Sequence, residues 1–234
     1  PGGQTITRNS WNSDAAAVFM KIGEVTMGNH DHAESGTFQI YYKGFLAVTS
    51  GFYGKYGSVH HENYHQMTVS KNGLLVYNPT FKGTADGWYS GSQRYAPSYD
   101  TLEQWQSGMY DMGEVTGVLN KAGEYSYLAG DITKAYNKDT VDYVGRRMLT
   151  VFTGDEKAPM LFFVFDSIIS DDASFAKTFL LHTASEPTVS DDGKTAEIFG
   201  GAGGKLTVSL VSGAEKITKV GGEGSAYWIN GYYN

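Results

Sequence analysis

The chain has 234 residues, 41% of them hydrophobic, which is enough to fill the core of one large or two small domains. The formal net charge of −7 and the pI near 5.3 exclude a general electrostatic grip on nucleic acid, which requires a basic face. The chain has no cysteine, which excludes disulfides and thiolate ligands, and no apolar run approaches the roughly 20 residues that span a bilayer. Any polyanionic partner must therefore be held by a local group of cations.

Apolar runs of strand length recur along the chain, and turn-forming segments such as "FTGDEK" (152–157), "SDDGK" (190–194) and "GGAGG" (200–204) separate them. The runs are 37–42, 45–49, 74–78, 125–129, 160–168, 175–184, 195–199, 205–211 and 226–229. With 30 Gly, 17 Tyr and 12 Phe, this pattern predicts an all-β, antiparallel, multi-stranded sandwich with few or no helices.

One segment suggests a short helix, "DTLEQWQSGMYD" (100–111), although Gly108 weakens that interpretation. The wider segment from 79 to 111 is predicted to be largely loop. It carries Trp88, Tyr89, Arg94, Tyr95 and Tyr99.

The histidines are concentrated in one part of the chain, since five of the six lie between His30 and His65. If "HDH" (30–32) is a strand, His30 and His32 share a face and Asp31 points away. The segment "YGSVHHENYH" (56–65) adds three further histidines and two tyrosines. Imidazoles on one face can start a metal site or flank a reacting group, and the alternative for each is a hydrogen-bonded structural role.

Several ordered motifs resemble one enzyme family. They are "KIGEVTMGNHDHAESGTFQIYYKGFLAVTSGFYGKYGS" (21–58), "HHENYHQMTVSKNGLLVY" (60–77), "GDITKAY" (130–136), "FVFDSI" (163–168), "KTFLLHTASEP" (177–187) and "GGEGSAYWINGYY" (221–233). Together they resemble the C-terminal β-sandwich region of heparinase II/III-like polysaccharide lyases, closest in motif to heparinase II and supersandwich-like in fold. The resemblance runs from about residue 8 to the end of the chain.

The resemblance implies an architecture and an activity. Family members join an N-terminal α/α toroid to C-terminal β layers, and they cleave uronic-acid polysaccharides by β-elimination. Residues 1–234 then correspond to the sheet region, a larger sandwich followed by a smaller C-terminal β layer, and the toroid is missing. The abrupt start at "PGGQTITRNSW" suits a processed product or a fragment. We expect a bacterial protein that is periplasmic or secreted, and inactive without the helical half.

The resemblance also implies a site. His30 matches the histidine that the family's sheet domain contributes, and Tyr53 or Tyr56 matches its tyrosine. Elimination requires a neutralised carboxylate, a base and an acid, and a phenol near cationic groups has a lowered pKa that suits proton transfer. Sheet-surface packing is the alternative for both tyrosines. Residues with side chains suited to bind the acidic sugar are His60, His61, Tyr64, Lys43, Lys55 and Arg94, with solvated surface charge as the alternative for the cations.

Many family members also hold a zinc ion in the sheet domain. His32 matches one ligand, but Thr49 and Lys71 stand at the positions of the other two, and neither substitutes well for an imidazole or a carboxylate. We therefore expect no cofactor. One hypothesis is that the Lys71 ammonium takes part of the ion's place; otherwise Lys71 points to solvent. The remaining metal possibility is a set drawn from His32, His60, His61, His65 and Glu62.

Three functions compete at this point. The leading one is the sheet portion of a lyase that acts on a glycosaminoglycan-like acidic polysaccharide. The second is a non-catalytic carbohydrate-binding sandwich, which stacks Tyr and Trp rings on sugars. The third is a metal-dependent hydrolase built on the histidines. His182 is expected to be a hydrogen-bonded histidine within an apolar strand, and sheet-edge or ion-paired roles are expected for Asp131, Arg146, Arg147 and Asp166.

Overall fold

The structure is a computed structural model that describes residues 3–26, 30–51, 53–81, 91–94 and 101–221 and the backbone of 228–229 and 232–233. Its strands are β1 (Gln4–Arg8), β2 (Ala17–Lys21), β3 (Phe38–Tyr41), β4 (Phe45–Ala47), β5 (Leu74–Tyr77), β6 (Glu114–Lys121), β7 (Tyr125–Asp131), β8 (Val141–Phe152), β9 (Met160–Ser170), β10 (Ala176–Phe179), β11 (Thr188–Val189), β12 (Thr195–Phe199), β13 (Lys205–Ser209), β14 (Trp228–Ile229) and β15 (Tyr232–Tyr233). Each of the nine predicted runs overlaps one of these strands. Trp88, Tyr89, Tyr95 and Tyr99 lie outside the described residues.

The strands form antiparallel sheets, which confirms the all-β prediction. Two four-stranded sheets dominate, with the orders β1-β2-β3-β4 and β6-β7-β8-β9. The smaller sheets are β10-β5, β11-β12-β13 and β14-β15. Apolar side chains of the two large sheets share one buried cluster, to which Met20 and Phe38 contribute from the first sheet and Leu128 and Met148 from the second. The sheets therefore pack face to face around a common core.

Helical structure is short, as predicted. The helix α1 (Leu102–Gln106) begins at a capping box in which Thr101 and Gln104 satisfy each other's backbone N–H groups, and Gly108 at φ +74° follows its end. A π-helical turn (His61–His65) and two 3-10 turns (Thr68–Ser70 and Thr133–Ala135) complete the helical elements among the described residues. No helix in this part of the chain is long and apolar enough to cross a membrane.

A buried guanidinium connects the second large sheet to the loops of the first. Arg146 on β8 faces Asp166 on β9 and forms two charge-assisted hydrogen bonds with it, Nε to Oδ1 at 2.7 Å and Nη2 to Oδ2 at 2.8 Å. Its Nη1 donates to the carbonyl oxygens of Gly36 at 2.6 Å and Asn72 at 3.3 Å. The Arg146 side chain is 0% exposed. The ion pair confirms the expectation for both residues, and because β8 is an interior strand, Arg146 fulfils it as an ion-paired residue and not as a sheet-edge one.

Asn72 ties the same region together from the other side. Its Nδ2 donates to the carbonyl of Phe38 at 2.8 Å, and its Oδ1 accepts the backbone N–H of His182 at 2.6 Å. His182 lies beyond the end of β10, so its expected position within a strand is wrong, because the chain leaves the β5 ladder after Phe179. The His182 ring nitrogen Nε2 lies 2.8 Å from the Val69 carbonyl, and burial lowers its pKa, in agreement with a structural role.

Replacing Arg146 should unfold the chain more readily than replacing the arginine beside it. Arg146→Met leaves Asp166 and two backbone carbonyls without their buried partner, so we expect the free energy of unfolding to fall by about 3–5 kcal/mol. Arg147→Met removes an exposed guanidinium whose one hydrogen bond is 3.4 Å long, and should change stability by less than about 0.5 kcal/mol. Urea unfolding measures both, and equal losses would contradict the connecting role of Arg146.

Candidate functional site

The two histidine segments are loops and turns that pair with each other. His30 lies in a bend at φ +58°, and the next strand after it, β3, begins only at Phe38. The prediction that His30 and His32 share one face of a strand is therefore wrong. The physical reason is that the Ala33 N–H bonds to the carbonyl of Gln66 at 2.8 Å, so this segment is held by the second histidine segment instead of a sheet ladder.

The π-helical turn places its side chains on two sides. The rings of His61 and His65 lie on one side with centroids 5.8 Å apart, and the rings of His60 and Tyr64 form a second pair at 5.5 Å. Gly51 at φ +76° passes close to the second pair, where a Cβ would lie 3.1 Å from the Tyr64 ring. Only glycine combines that backbone conformation with so little space.

Six aromatic side chains from the two segments converge into one group, which we call the histidine–tyrosine face: His30, His32, Tyr53, Tyr56, His61 and His65. Ring centroids lie 5.1 Å apart for His30–Tyr56, 4.9 Å for Tyr56–His61, 5.4 Å for Tyr53–His61, 5.7 Å for Tyr53–His65 and 4.8 Å for His32–His65. Tyr53 and Tyr56 are each 53% exposed. Their phenols and the exposed His30 imidazole therefore lie at the surface of the face, above the more buried imidazoles of His32, His61 and His65.

His61 is positioned by its own turn and is uncharged at neutral pH. Burial lowers its pKa, with nearby Glu62 opposing the shift and His30 adding to it. The Gly57 N–H approaches Nδ1 at 3.3 Å, so Nδ1 accepts and the neutral ring carries its proton on Nε2. The His61 side chain is 3% exposed, so this N–H lies beneath the surface, behind the two phenols.

Lys71 is the buried cation behind the face. Its side chain is 0% exposed, and Nζ donates to the carbonyl of His65 at 2.7 Å. Of the two hypotheses for this residue, the inward orientation is therefore confirmed. Burial lowers its pKa from 10.5 to about 8, Glu34 acts in the opposite direction and Lys21 adds to the lowering. Lys71 is thus still an ammonium at neutral pH.

The histidines around Lys71 are neutral. Burial, and then the charge of Lys71, lower the pKa of His32 from 6.5 to about 3. The same two causes, in the same order, lower the pKa of His65. Lys21 and Glu34 form an ion pair at 2.8 Å next to this group. The net charge of the three charged groups is therefore one positive charge, fixed behind neutral imidazoles.

This donor set does not fit zinc. Ser50 N–H bonds to the Ser70 carbonyl at 2.8 Å, which brings the backbone at Thr49 next to that at Lys71, but a hydroxyl and a protonated amine are poor zinc ligands. Among the described residues, no three His, Asp or Glu side chains are placed to hold a metal ion. The alternative set of His32, His60, His61, His65 and Glu62 is therefore not assembled.

Two residues predicted to bind the sugar belong to the second side of the turn. Tyr64 is 6% exposed, packs in a small core with Met67 and shares a hydrogen bond of 2.9 Å with Ser50. It cannot lie against a sugar on the surface, because burial encloses both its ring and its hydroxyl. His60 is half-buried and packs on Tyr64, on the side of the turn away from His61.

The three predicted basic residues lie in different places. Arg94 donates through Nε to the Lys134 carbonyl at 2.7 Å and through its other two nitrogens to the carbonyls of Met109 and Asp111, so we assign it to loop anchoring. The Lys43 ammonium lies 5.0 Å from the Tyr42 ring centre, at a cleft of about 350 Å³ that Glu156 also lines. Lys55 is exposed on the loop between Tyr53 and Tyr56, beside the face.

Some members of this site could be found only partly from the sequence. The sequence suggests His65 only as a metal ligand. The spacing His61-x-x-x-His65, however, places both rings on one side of a helical turn. The pairing of Lys21 with Glu34 and the anchoring of the site loops by Arg146 depend on contacts between distant segments. No local sequence pattern predicts these contacts.

Known proteins resemble this chain in sequence and in fold. The model of the family "Heparinase II/III-like, C-terminal" matches residues 2–230. The crystal structure of heparan sulfate lyase HepC from Pedobacter heparinus aligns with a TM-score of 0.58 and 13% identity over 91% of this chain and 28% of that chain. A HepC mutant structure aligns with a TM-score of 0.39 and 12% identity over 89% of this chain and 41% of that chain, a similarity too low to support a conclusion. The search of curated proteins gave no match.

The burial of Lys71 predicts a pH dependence of stability. Its folded pKa of about 8 lies below the ordinary 10.5, so the folded chain binds this proton less tightly than the unfolded chain. Stability should therefore rise with pH between those two values, by on the order of 2–3 kcal/mol relative to Lys71→Met.

Chemical unfolding at several pH values between these limits measures the effect. Lys177→Met is the matched control, because Lys177 also donates to a backbone carbonyl, that of Ala173 at 3.0 Å, but is exposed. A difference between the parent chain and Lys71→Met that does not change with pH would contradict the buried ammonium.

Proposed function

Because the chain belongs to the heparinase II/III-like C-terminal family, we propose that it supplies the sheet half of a polysaccharide lyase site that cleaves an acidic, uronic-acid-containing polysaccharide by β-elimination. The chain spans 28% of the length of the HepC chain it resembles, so the rest of the catalytic machinery belongs to another part of such an enzyme. We assign that part to a helical toroid domain. The whole-enzyme activity therefore requires both halves.

The chemistry makes three demands on the site. A donor must neutralise the carboxylate so that the adjacent C–H becomes acidic enough to lose its proton. A base must accept that proton, and an acid must protonate the glycosidic oxygen as its bond to carbon breaks and the carbon–carbon double bond forms. Phenol and imidazole groups serve all three functions without a metal ion.

The observation that carries the proposal is the position of Tyr56 between His30 and His61, with ring centroids 5.1 and 4.9 Å away. An exposed phenol flanked by two imidazoles can exchange a proton while the exposed imidazole, that of His30, orients the sugar carboxylate. Tyr53 lies against His61 and His65 and offers a second phenol. We assign proton transfer to Tyr53 or Tyr56 and carboxylate binding to the exposed His30, whereas His61, only 3% exposed, lies behind both phenols and positions them.

Local charge supports an acidic ligand. The whole chain carries a formal charge of −7, which repels polyanions at long range. At the face, however, the ammonium of Lys71 lies behind neutral histidines, and exposed Lys55 lies on the adjoining loop. We propose that Lys55 and the His30 imidazole hold the acid groups of the sugar, and that the enclosed Lys71 adds a positive charge behind them without touching the ligand. Such a polymer is degraded outside the cytoplasm, and we propose a periplasmic or secreted location.

A carbohydrate-binding sandwich without catalysis is the second candidate. The exposure of the Tyr53 and Tyr56 rings favours it, because an exposed aromatic ring can stack on a sugar. In that case the phenol hydroxyls have no proton to transfer. Removing a hydroxyl then leaves ring stacking intact, whereas removing the whole ring abolishes binding.

Removing the hydroxyl of Tyr53 or Tyr56 distinguishes the lyase function from the binding function. The variants are made in the longest natural protein that contains this chain. We expect Tyr53→Phe or Tyr56→Phe to lower the rate of unsaturated-product formation from heparan sulfate by about 10²–10⁴-fold, because general acid–base catalysis contributes that much. Ultraviolet absorbance of the product measures the rate. Tyr77→Phe, an exposed tyrosine on β5 outside the face, is the control and should keep the parental rate.

Retained activity in both Tyr53→Phe and Tyr56→Phe would contradict the catalytic assignment. Unimpaired polysaccharide binding by a parent protein that forms no product would support the binding function instead.

For the isolated 234-residue chain we expect binding without cleavage, measured by calorimetry and absorbance on the same sample. Robust cleavage by this chain would show that the sheet half contains the complete site.

A further inference from the structure

Lys71 is an unusual buried residue because its charge has no dedicated counter-ion. Its ammonium is fully enclosed, and among the described residues its one hydrogen bond goes to the His65 carbonyl. None of the ion pairs among the described residues includes it, and the nearby carboxylate of Glu34 is bound to Lys21 at 2.8 Å. Enclosing an ammonium away from water without a paired carboxylate is strongly unfavourable, and a methionine would fill a similar volume without that penalty.

The surroundings of Lys71 resemble those of a bound cation. The carbonyl of His65 faces the ammonium directly, and the rings of His32 and His65 meet edge to face with centroids 4.8 Å apart. His65 Nδ1 is buried, and no hydrogen bond of the described residues reaches it. The group therefore places one carbonyl oxygen against the positive charge and two neutral imidazoles close enough for that charge to lower their pKa.

We propose that the Lys71 ammonium is the resident cation of the histidine–tyrosine face and replaces a divalent metal ion there. It holds the end of the His61–His65 turn through the His65 carbonyl and keeps a positive charge behind the exposed phenols. Lys71 does both with one hydrogen bond and one positive charge. The face is then assembled without metal.

The role proposed for Lys71 follows from its contacts and does not depend on lyase activity. It can be true of a lyase or of a sugar-binding domain. Its test therefore uses zinc alone as the probe and needs no polysaccharide. Failure of the lyase assay leaves this test unaffected, and the reverse also holds.

The experiment exchanges the cation for a ligand. Lys71→His places a third imidazole next to His32 and His65, so this variant should bind about one zinc ion per chain, because three protein ligands suffice for a zinc site. We expect tenfold excess zinc to raise its melting temperature by several degrees, since zinc binds only the folded site. The parent chain should purify without zinc and keep its melting temperature in excess zinc or EDTA.

Lys177→His is the matched control, because it adds an imidazole at an exposed lysine away from the face. Stoichiometric zinc in the parent chain, or a fall in its melting temperature with EDTA, would overturn the proposal. So would a Lys71→His variant that folds, as judged by circular dichroism, but takes up no more zinc than Lys177→His.

If Lys71→His does not fold, amide hydrogen exchange tests whether Lys71 anchors the His61–His65 turn. In Lys71→Met, amide hydrogen exchange in the His61–His65 turn should accelerate about tenfold or more, because the turn loses its anchor. Lys177→Met should leave this exchange unchanged. Unchanged exchange in Lys71→Met would overturn the anchoring role.

Discussion

One buried charged hydrogen-bond network holds the candidate site to the sandwich. The guanidinium of Arg146 binds Asp166 across two strands of one sheet and reaches the carbonyls of Gly36, which precedes β3 of the other large sheet, and of Asn72, which precedes β5. These carbonyls adjoin the segments that carry His32 and Lys71. Because a fully enclosed guanidinium requires all of these partners, the two loops cannot move independently without exposing or stranding a charge.

The site that rests on this base separates fixed charge from exchangeable protons. Lys71 carries a positive charge in the interior at neutral pH, and burial also keeps His32 and His65 neutral. The phenols of Tyr53 and Tyr56 lie at the surface, where a substrate can reach them. An interior cation with a layer of neutral donors above it suits recognition of an acidic sugar by a chain whose overall charge is negative.

The sequence predicted the strands well because apolar runs and turn residues act locally, but it missed what depends on distant partners. The strand expected at His30–His32 fails because the Ala33 N–H bonds to the Gln66 carbonyl, and Tyr64 is buried because its own turn rotates it into a small core. The substitution of Lys71 for a family ligand was visible in the sequence. Its enclosure, its bond to His65 and the role of Arg146 required the assembled fold.

The most direct test of the account is which histidines of the chain respond to an acidic sugar. Imidazole nitrogen–proton correlation spectra, recorded while a heparan sulfate oligosaccharide is added, report all six histidines at once. The account predicts that the signals of His30 and His61 shift in a saturable way and that those of His182, outside the face, do not. Equal shifts at all positions, or a response confined to His182, would contradict the placement of the sugar on the histidine–tyrosine face.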